Sequence, residues 1–121
     1  MPNDINLDLL ARMMDVQLLR SQVHRVNLAN VNTPGYTAQA VAFEDAFRQA
    51  LVRDGAGAAL AVDPVIVQPR STMAKLDGND VSTDRETVEL AKAQMLYNAF
   101  AVMTHGRLKM LETAATPAPG G

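Results

Sequence analysis

The chain has 121 residues, of which 48% are hydrophobic but only 4% aromatic, and its formal net charge is −2. This length corresponds to one domain at most, and the absence of cysteine excludes a disulfide framework and a thiolate metal site. Acids and bases balance within residues 1–30 and within residues 84–112, so neither segment has the basic stripe that nucleic acid or an anionic membrane would require.

The segment from about Asn6 to Asn32 has a helical pattern with two apolar lines. The first line follows the three-to-four spacing of a coiled-coil seam. Its members include Val16, Leu19, Val23 and Val26. The second line runs along an adjacent face and includes Leu10, Met14 and Leu18. A surface helix of a globular protein needs one apolar stripe, so two stripes predict partners on two sides.

The residues that follow this helix determine where it ends. Pro34 disfavours helical backbone at Thr33, so the helix must end at or before about Asn32. Pro34 and Gly35 then occupy the central positions of a turn that ends at Tyr36. This order predicts a type II turn, in which Gly readily takes the positive φ.

Three amides, Asn27, Asn30 and Asn32, crowd into the last two turns of the helix. Asn is unfavourable inside a helix because its side chain competes for backbone hydrogen bonds. These side chains either fix the register between packed helices or lie on a solvated helix end, and the residues alone leave both interpretations open.

Residues 37–82 predict an irregular, weakly β middle segment. Apolar side chains four apart, at Phe43, Phe47 and Leu51, predict a short helix over about 42–52. The Gly- and Ala-rich run over 53–63 predicts a mobile loop. A β-prone run, Val65-Ile66-Val67, lies between prolines and predicts an edge strand or an extended arm.

A second long helix is predicted over residues 83–113, with a flexible tail over 114–121. Thr83 and Glu86 have the spacing of a capping box, in which Thr83 caps the Glu86 amide and Glu86 reaches back. The buried stripe of this helix includes Leu96, Phe100 and Met103. We expect this stripe to pack antiparallel against the first apolar line of the N-terminal helix, which occupies residues 1–36 with its turn.

The fold class that follows is mainly α, with two long terminal helices paired in a coiled-coil-like manner around an irregular middle. The second apolar line would then remain for a neighbouring subunit. His24 and His105 lack the spacing of metal ligands and suggest polar surface or interface positions. No nucleophile elbow, phosphate loop or complete calcium loop is present, so we expect no enzyme activity, cofactor, metal or small-molecule substrate.

The stretch from Asn27 to Tyr36 resembles the N-terminal signature of bacterial flagellar rod, hook and hook-associated axial proteins. That signature is Asn-x-x-Asn-x-x-Thr-Pro-Gly-Tyr/Phe, and Asn27, Asn30, Thr33 and the residues to Tyr36 match it at every fixed position. A second stretch, over 77–91, resembles the branch of short proximal rod subunits, the B type. The resemblance covers about residues 6–111.

The resemblance implies a structural subunit of the proximal rod, which transmits torque from the motor to the hook and forms part of the export channel wall. It implies self-association within the rod and contacts with other rod subunits, the rod adaptor protein E, the membrane-supramembrane ring and the export gate. It also implies the periplasmic rod as location, reached by type III export without a cleavable signal peptide. The resemblance favours an interface role for Asn27 and Asn30.

Two alternatives remain. A C-type rod subunit would share the first motif but not the stretch over 77–91. A cytoplasmic helical adaptor or dimerisation module would account for the two apolar lines equally well.

Overall fold

The structure is a computed structural model that describes residues 4–69 and 74–115. A long helix lies at each end of the described chain, and the segment between them contains two short helices and a two-stranded sheet. The predicted mainly α fold is therefore confirmed. In chain order the elements are α1 (Ile5–Ala29), β1 (Ala40–Ala42), α2 (Glu44–Asp54), α3 (Ala56–Leu60), β2 (Val65–Val67) and α4 (Thr83–Ala115).

The two long helices pair antiparallel. At one end, the N-cap residue of α1, Asp4, lies 2.9 Å from Nη2 of Arg107, near the end of α4. At the other end, His24 near the end of α1 contacts Glu86 near the start of α4. The hydrogen bond from Arg107 holds the pKa of Asp4 below its usual value, assisted by backbone N–H groups of the first helical turn.

The apolar core lies between α1 and the middle segment. Val16 and Val23 of α1 pack with Val41 and Phe43, and all four are buried. Half-buried residues surround this cluster, namely Met13, Leu19, Phe47 and Val62. The prediction that the first apolar line packs against Leu96, Phe100 and Met103 was therefore wrong.

Three members of that predicted pairing are exposed to solvent to a substantial degree. Val26 is 50% exposed, Met103 is 55% exposed and Leu96 is 37% exposed, while Phe100 is half-buried. The physical reason is that the middle segment covers the first apolar line. It brings Val41 and Phe43 to the side chains that sequence periodicity assigned to α4. Periodicity identifies a buried face but carries no information about what covers it.

The second apolar line of α1 is partly covered within the chain. Leu10 and Met14 are half-buried, and Thr104 Oγ1 of α4 lies 3.6 Å from Met14 Sδ. Leu18 is 47% exposed and lies at the edge of a groove shared with α4. Met14 therefore contacts α4, and Leu18 is the most exposed of the three named members of this line.

The middle segment is more ordered than its composition suggests. α2 begins two residues later than predicted, and α3 lies inside the run over 53–63 that predicted a mobile loop. Ala59 of α3 is fully buried, and Arg12 of α1 donates to the Val62 carbonyl and pairs with Asp63 at 2.7 Å. These contacts order the segment.

β1 and β2 pair antiparallel with Val41 opposite Ile66, which confirms the predicted strand. Arg20 of α1 donates to the Val41 carbonyl and also binds Glu44. That hydrogen-bonded guanidinium lowers the pKa of Glu44. The sheet is thereby attached to α1 through polar as well as apolar contacts.

α4 extends to Ala115, two residues beyond the predicted end, whereas the rest of the predicted tail, 116–121, lies outside the described residues. None of the described helices is both long enough and apolar enough to cross a membrane.

We predict that Phe43→Ala lowers the free energy of unfolding by about 3–5 kcal/mol, because it removes a buried ring and leaves a cavity beside Val16 and Val23. Urea unfolding followed by circular dichroism measures this. Val52→Ala is the control, since Val52 on α2 is largely exposed and should change stability by less than about 0.5 kcal/mol. Equal effects of the two substitutions would refute the assignment of the core.

Candidate functional site at the junction of the two motifs

The residues that end α1 form a hydrogen-bonded turn. Asn30 is the C-cap of α1, and its side-chain amide donates to the Val26 carbonyl at 2.8 Å. The Tyr36 N–H donates to the Thr33 carbonyl at 3.2 Å, and Gly35 has a φ of 73°. The predicted turn and its positive φ at Gly35 are confirmed. α1 ends at Ala29, before Asn32 as predicted, and the Thr33 hydroxyl donates to Asn30 Oδ1 at 3.1 Å in the turn that follows.

Asn27 lies at the centre of the junction and is fully buried. Its Nδ2 donates to the Gln39 carbonyl at 2.7 Å and to Glu86 Oε2 at 2.8 Å. Its Oδ1 accepts from the Gln39 N–H at 2.9 Å and from the Tyr36 hydroxyl at 3.1 Å. An asparagine amide has two donors and two acceptor sites, and all four are used here. Aspartate has nearly the same shape but no N–H donors, so it could not make the bonds to the Gln39 carbonyl and to Glu86.

Glu86 brings α4 into the same junction. Its side chain is buried, and its Oε2 lies 2.5 Å from His24 Nδ1 and accepts from Asn27. A buried carboxylate is costly without such partners. His24 is therefore a buried partner of Glu86 between α1 and α4, so of the two predicted positions, polar surface or interface, the surface position was wrong.

The capping box predicted from Thr83 and Glu86 was also wrong. Thr83 is the first residue of α4, and Ser82 takes the capping position. The Glu86 N–H donates to the Ser82 carbonyl at 2.9 Å, and Ser82 Oγ accepts from the Arg85 N–H at 3.3 Å. The side chain of Glu86 instead points to α1, because a long-range pair outcompeted the local one.

The loop before α4 caps the end of α1. Asn79 is fully buried, and its Nδ2 donates to the carbonyls of Asn30 and Thr33, both at 2.7 Å. Lys75 Nζ donates to the Val31 carbonyl at 3.1 Å. The last carbonyls of a helix have no partner inside it. Here Asn79 binds the carbonyl of the C-cap residue, Asn30, and Asn79 and Lys75 bind carbonyls of the turn that follows it.

The two turns are in direct contact. The Gly35 N–H donates to the Asp77 carbonyl at 2.8 Å, and a Cβ on Gly78 would lie 3.4 Å from the Gly35 Cα. Gly78 has a φ of 80°, in the left-handed region that glycine adopts readily. Asp80 extends the junction, since its Oδ1 accepts from the Ala38 N–H at 2.6 Å. The two sequence motifs therefore form one polar structure.

Tyr36 closes the junction. Its burial raises the pKa of its hydroxyl above 10.0, and the charges of Glu86 and Asp80 act in the same direction. The unfolded chain would release this proton first as the pH rises. The contribution of Tyr36 to stability is therefore intact below pH 10 and declines above it.

The motif also presents an outer surface. Asn32, Thr33, Pro34 and Gly35 are exposed, whereas Asn27, Asn30 and Tyr36 hold the junction. Sequence reasoning missed four of the junction residues, namely His24, Asn79, Asp80 and Glu86. Three of these lie in the second motif, but nothing in their spacing indicated that they face α1.

A cleft of about 370 Å³ borders the junction between α1, α4 and the sheet. Its charged lining is mixed, with Arg20, Lys92, Glu44 and Glu89 among its members. No group of acids and histidines suited to a metal ion occurs in the described ranges, 4–69 and 74–115. The side chains of the junction therefore hold the backbone of the two motifs in a fixed position through hydrogen bonds.

We predict that Asn27→Ala lowers the free energy of unfolding. Each buried group left without a partner, such as the Gln39 N–H and C=O, costs about 1–3 kcal/mol. Alanine has the higher helix propensity, but that gain is at most about 0.7 kcal/mol, so the cost of the lost hydrogen bonds dominates. Asn98→Ala is the matched control, because Asn98 is exposed on α4 and should gain only propensity. In urea unfolding we expect Asn27→Ala to lower the free energy of unfolding and Asn98→Ala to raise it slightly. An Asn27→Ala variant as stable as the wild type would contradict the role of this side chain.

We also predict that Gly35→Val destabilises the chain although nothing lies within 4 Å of the new Cβ. The cause is conformational, since a non-Gly residue in the left-handed region costs about 1–2 kcal/mol, and more when it is β-branched. Gly57→Val serves as the control, because Gly57 has open space and lies within α3. Thermal unfolding that shifts equally for both variants would show that the turn conformation is unimportant.

No family model matches the chain. The chain is 30% identical over 115 residues to the flagellar basal body rod protein FlgB of Borrelia hermsii, covering 80% of this chain and 85% of that protein. It is 29% identical over 110 residues to the FlgB protein of Bacillus subtilis strain 168, covering 81% of this chain and 83% of that protein. With this identity over most of both lengths, the chain belongs to the FlgB family of flagellar basal body rod proteins.

Proposed function

We propose that the chain is a structural subunit of the proximal rod of the bacterial flagellum. The observation that carries this proposal is its membership of the FlgB family over most of its length. Likeness to FlgB proteins in particular favours this subunit over a C-type rod protein.

The structure supports a load-bearing role. α4 has 33 residues, which corresponds to about 50 Å of helix. α1 runs antiparallel beside it, with a polar side-chain contact at each end, Asp4 with Arg107 and His24 with Glu86. A helix pair fixed at both ends resists relative sliding, as a subunit that transmits torque must. The exposed face of the Asn32–Gly35 turn then contributes to assembly.

Within the rod the chain contacts further copies and other rod subunits. Its remaining neighbours are the rod adaptor protein E, the membrane-supramembrane ring and the export gate, and its helices contribute to the wall of the export channel. The chain reaches the periplasm by flagellar type III export. It acts as a structural part and catalyses no reaction.

The test is deletion of the gene in its own host, followed by complementation. We predict that the deletion strain does not swim and lacks a rod in purified basal bodies, and that the wild-type gene restores both. A tagged chain should copurify with basal bodies. A motile deletion strain, or a tagged chain found only in the cytosolic fraction of swimming cells, would instead support an adaptor unrelated to the rod.

A further inference from the structure

The backbone of β1 forms hydrogen bonds on both of its edges. Toward α1, the N–H and C=O of Gln39 bond the Asn27 side chain, and the Val41 carbonyl accepts from Arg20. In an extended strand the N–H and C=O of one residue point to the same edge, and successive residues alternate between the two edges. The two alanines of β1 therefore direct their backbone groups the other way, toward β2.

The same alternation leaves one edge of β2 open. Val65 and Val67 lie opposite the two alanines of β1, so their N–H and C=O groups form the hydrogen bonds of the sheet. Ile66 lies between them and points its N–H and C=O away from β1. Among the described residues, none forms a hydrogen bond with these two groups. Of the two described strands, only β2 thus has a free edge.

The side chains of β2 do not protect this edge. All three are exposed, and all three are uncharged and β-branched. Edge strands of natural proteins usually carry a charge or a bulge that prevents pairing with another chain. β2 has no charged residue, and its register with β1 is continuous. Such a strand is suited to the addition of a further strand.

We propose that the added strand is β2 of a second copy of the chain, paired antiparallel about a twofold axis at Ile66. A second copy offers no other described strand, because both edges of its β1 are occupied. The strand also matches itself. In this register Ile66 lies opposite Ile66 of the second copy, and Val65 lies opposite Val67 at each end. Pairs of β-branched side chains opposite each other stabilise a sheet.

The residues that flank β2 fit the same register. Pro64 has no N–H, but its carbonyl can accept from the Gln68 N–H of the second copy. The Gln68 carbonyl, which would need the missing N–H, stays open to solvent because Gln68 is exposed. Asp63 falls opposite Pro69 of the second copy, so no like charges meet. Backbone hydrogen bonds therefore form between the two isoleucines and again at each end.

Other antiparallel registers fit less well. A twofold axis at Val67 would place Gln68 opposite Ile66 on both sides of the axis. An axis at Val65 would place Pro64 opposite Ile66, whose carbonyl would then have no donor. An axis between two residues would place Ile66 opposite a valine whose N–H and C=O point to β1. The axis at Ile66 alone pairs apolar residues and uses both backbone groups of Ile66.

A contact of this kind closes on itself. It is isologous, so it forms a dimer and does not extend into a filament. Each copy contributes a strand of three residues, so the contact is smaller than the ~1,200 Å² of a stable complex, and the dimer forms only at high protein concentration. A rod grows by contacts that repeat in one direction. On the proposed function, the dimer is therefore a form of the chain before assembly, and it separates when a subunit joins the rod.

The first test is hydrogen exchange of the purified full chain at low and high protein concentration, with the dimer followed by sedimentation. The Ile66 amide should exchange about tenfold more slowly once about 90% of the chain is dimeric, because exchange then requires the remaining monomer. The Val65 and Val67 amides are internal controls, since they already bond β1 and should change less. A chain that is monomeric at every concentration, or a dimer with unchanged exchange at Ile66, would overturn the proposal.

The second test determines the register. The chain contains no cysteine, so a single introduced thiol can form a disulfide only between two molecules. Ile66→Cys should form a disulfide-linked homodimer on mild oxidation, because residues opposite each other in a hydrogen-bonded pair have Cα atoms about 5.5 Å apart. Val67→Cys is the matched control, because Val67 lies opposite Val65 and not opposite itself. A mixture of Val65→Cys and Val67→Cys should form the heterodimer, whereas a dominant Val67→Cys homodimer would overturn the register.

A third variant separates the contact from the fold. Ile66→Lys places two like charges at the twofold axis and should abolish the dimer. Because Ile66 is 51% exposed, the variant should keep the circular dichroism spectrum of the wild type. Leu76→Lys is the control, since Leu76 is exposed outside the strand and its replacement should leave the dimer intact. A dimer that survives Ile66→Lys would refute β2 as the contact.

The inference fails separately from the proposed function. The dimer is measured on the purified chain, so its absence would leave the chain a rod subunit if the deletion strain does not swim. A deletion strain that swims would refute the proposed function and leave the dimer through β2 standing.

Discussion

The buried carboxylate of Glu86 is the constraint on which the junction depends. It lies away from water, where a carboxylate without partners would be strongly unfavourable, and it receives one contact from His24 and one from Asn27. Both partners lie on α1, three residues apart, so a single α4 side chain fixes the register of the two helices. A slip by one helical turn would leave the charge unpaired.

The same interaction extends into the connecting chain. Because Asn27 uses its remaining groups on Gln39 and Tyr36, the strand that leaves the turn is held against α1. That strand then delivers Val41 and Phe43 to the apolar core. The polar junction and the apolar core are thus linked through the short segment from Gln39 to Phe43. Part of the family motif lies at the surface, but Asn27 at its start forms hydrogen bonds inside the chain.

Much of the fold could be predicted from the sequence because the signals are local. The long helices follow from periodicity and the turn from Pro34 and Gly35, whose chemistry admits few conformations. The failures concern partners. Val16 and Val23 were correctly assigned to a buried face but to the wrong neighbour, and Glu86 matched a local capping pattern although its partner lies 62 residues away. Long-range choices of this kind leave no trace in spacing.

The central claim is that Asn27 fixes the backbone of Gln39 as firmly as a strand partner would. Native-state hydrogen exchange of the Gln39 amide tests it most directly, because this N–H donates to the Asn27 side chain alone among the described contacts. The account predicts that the amide exchanges only through global unfolding, with the same free energy as amides in the middle of α1. Rapid exchange, as in an exposed loop, would contradict it.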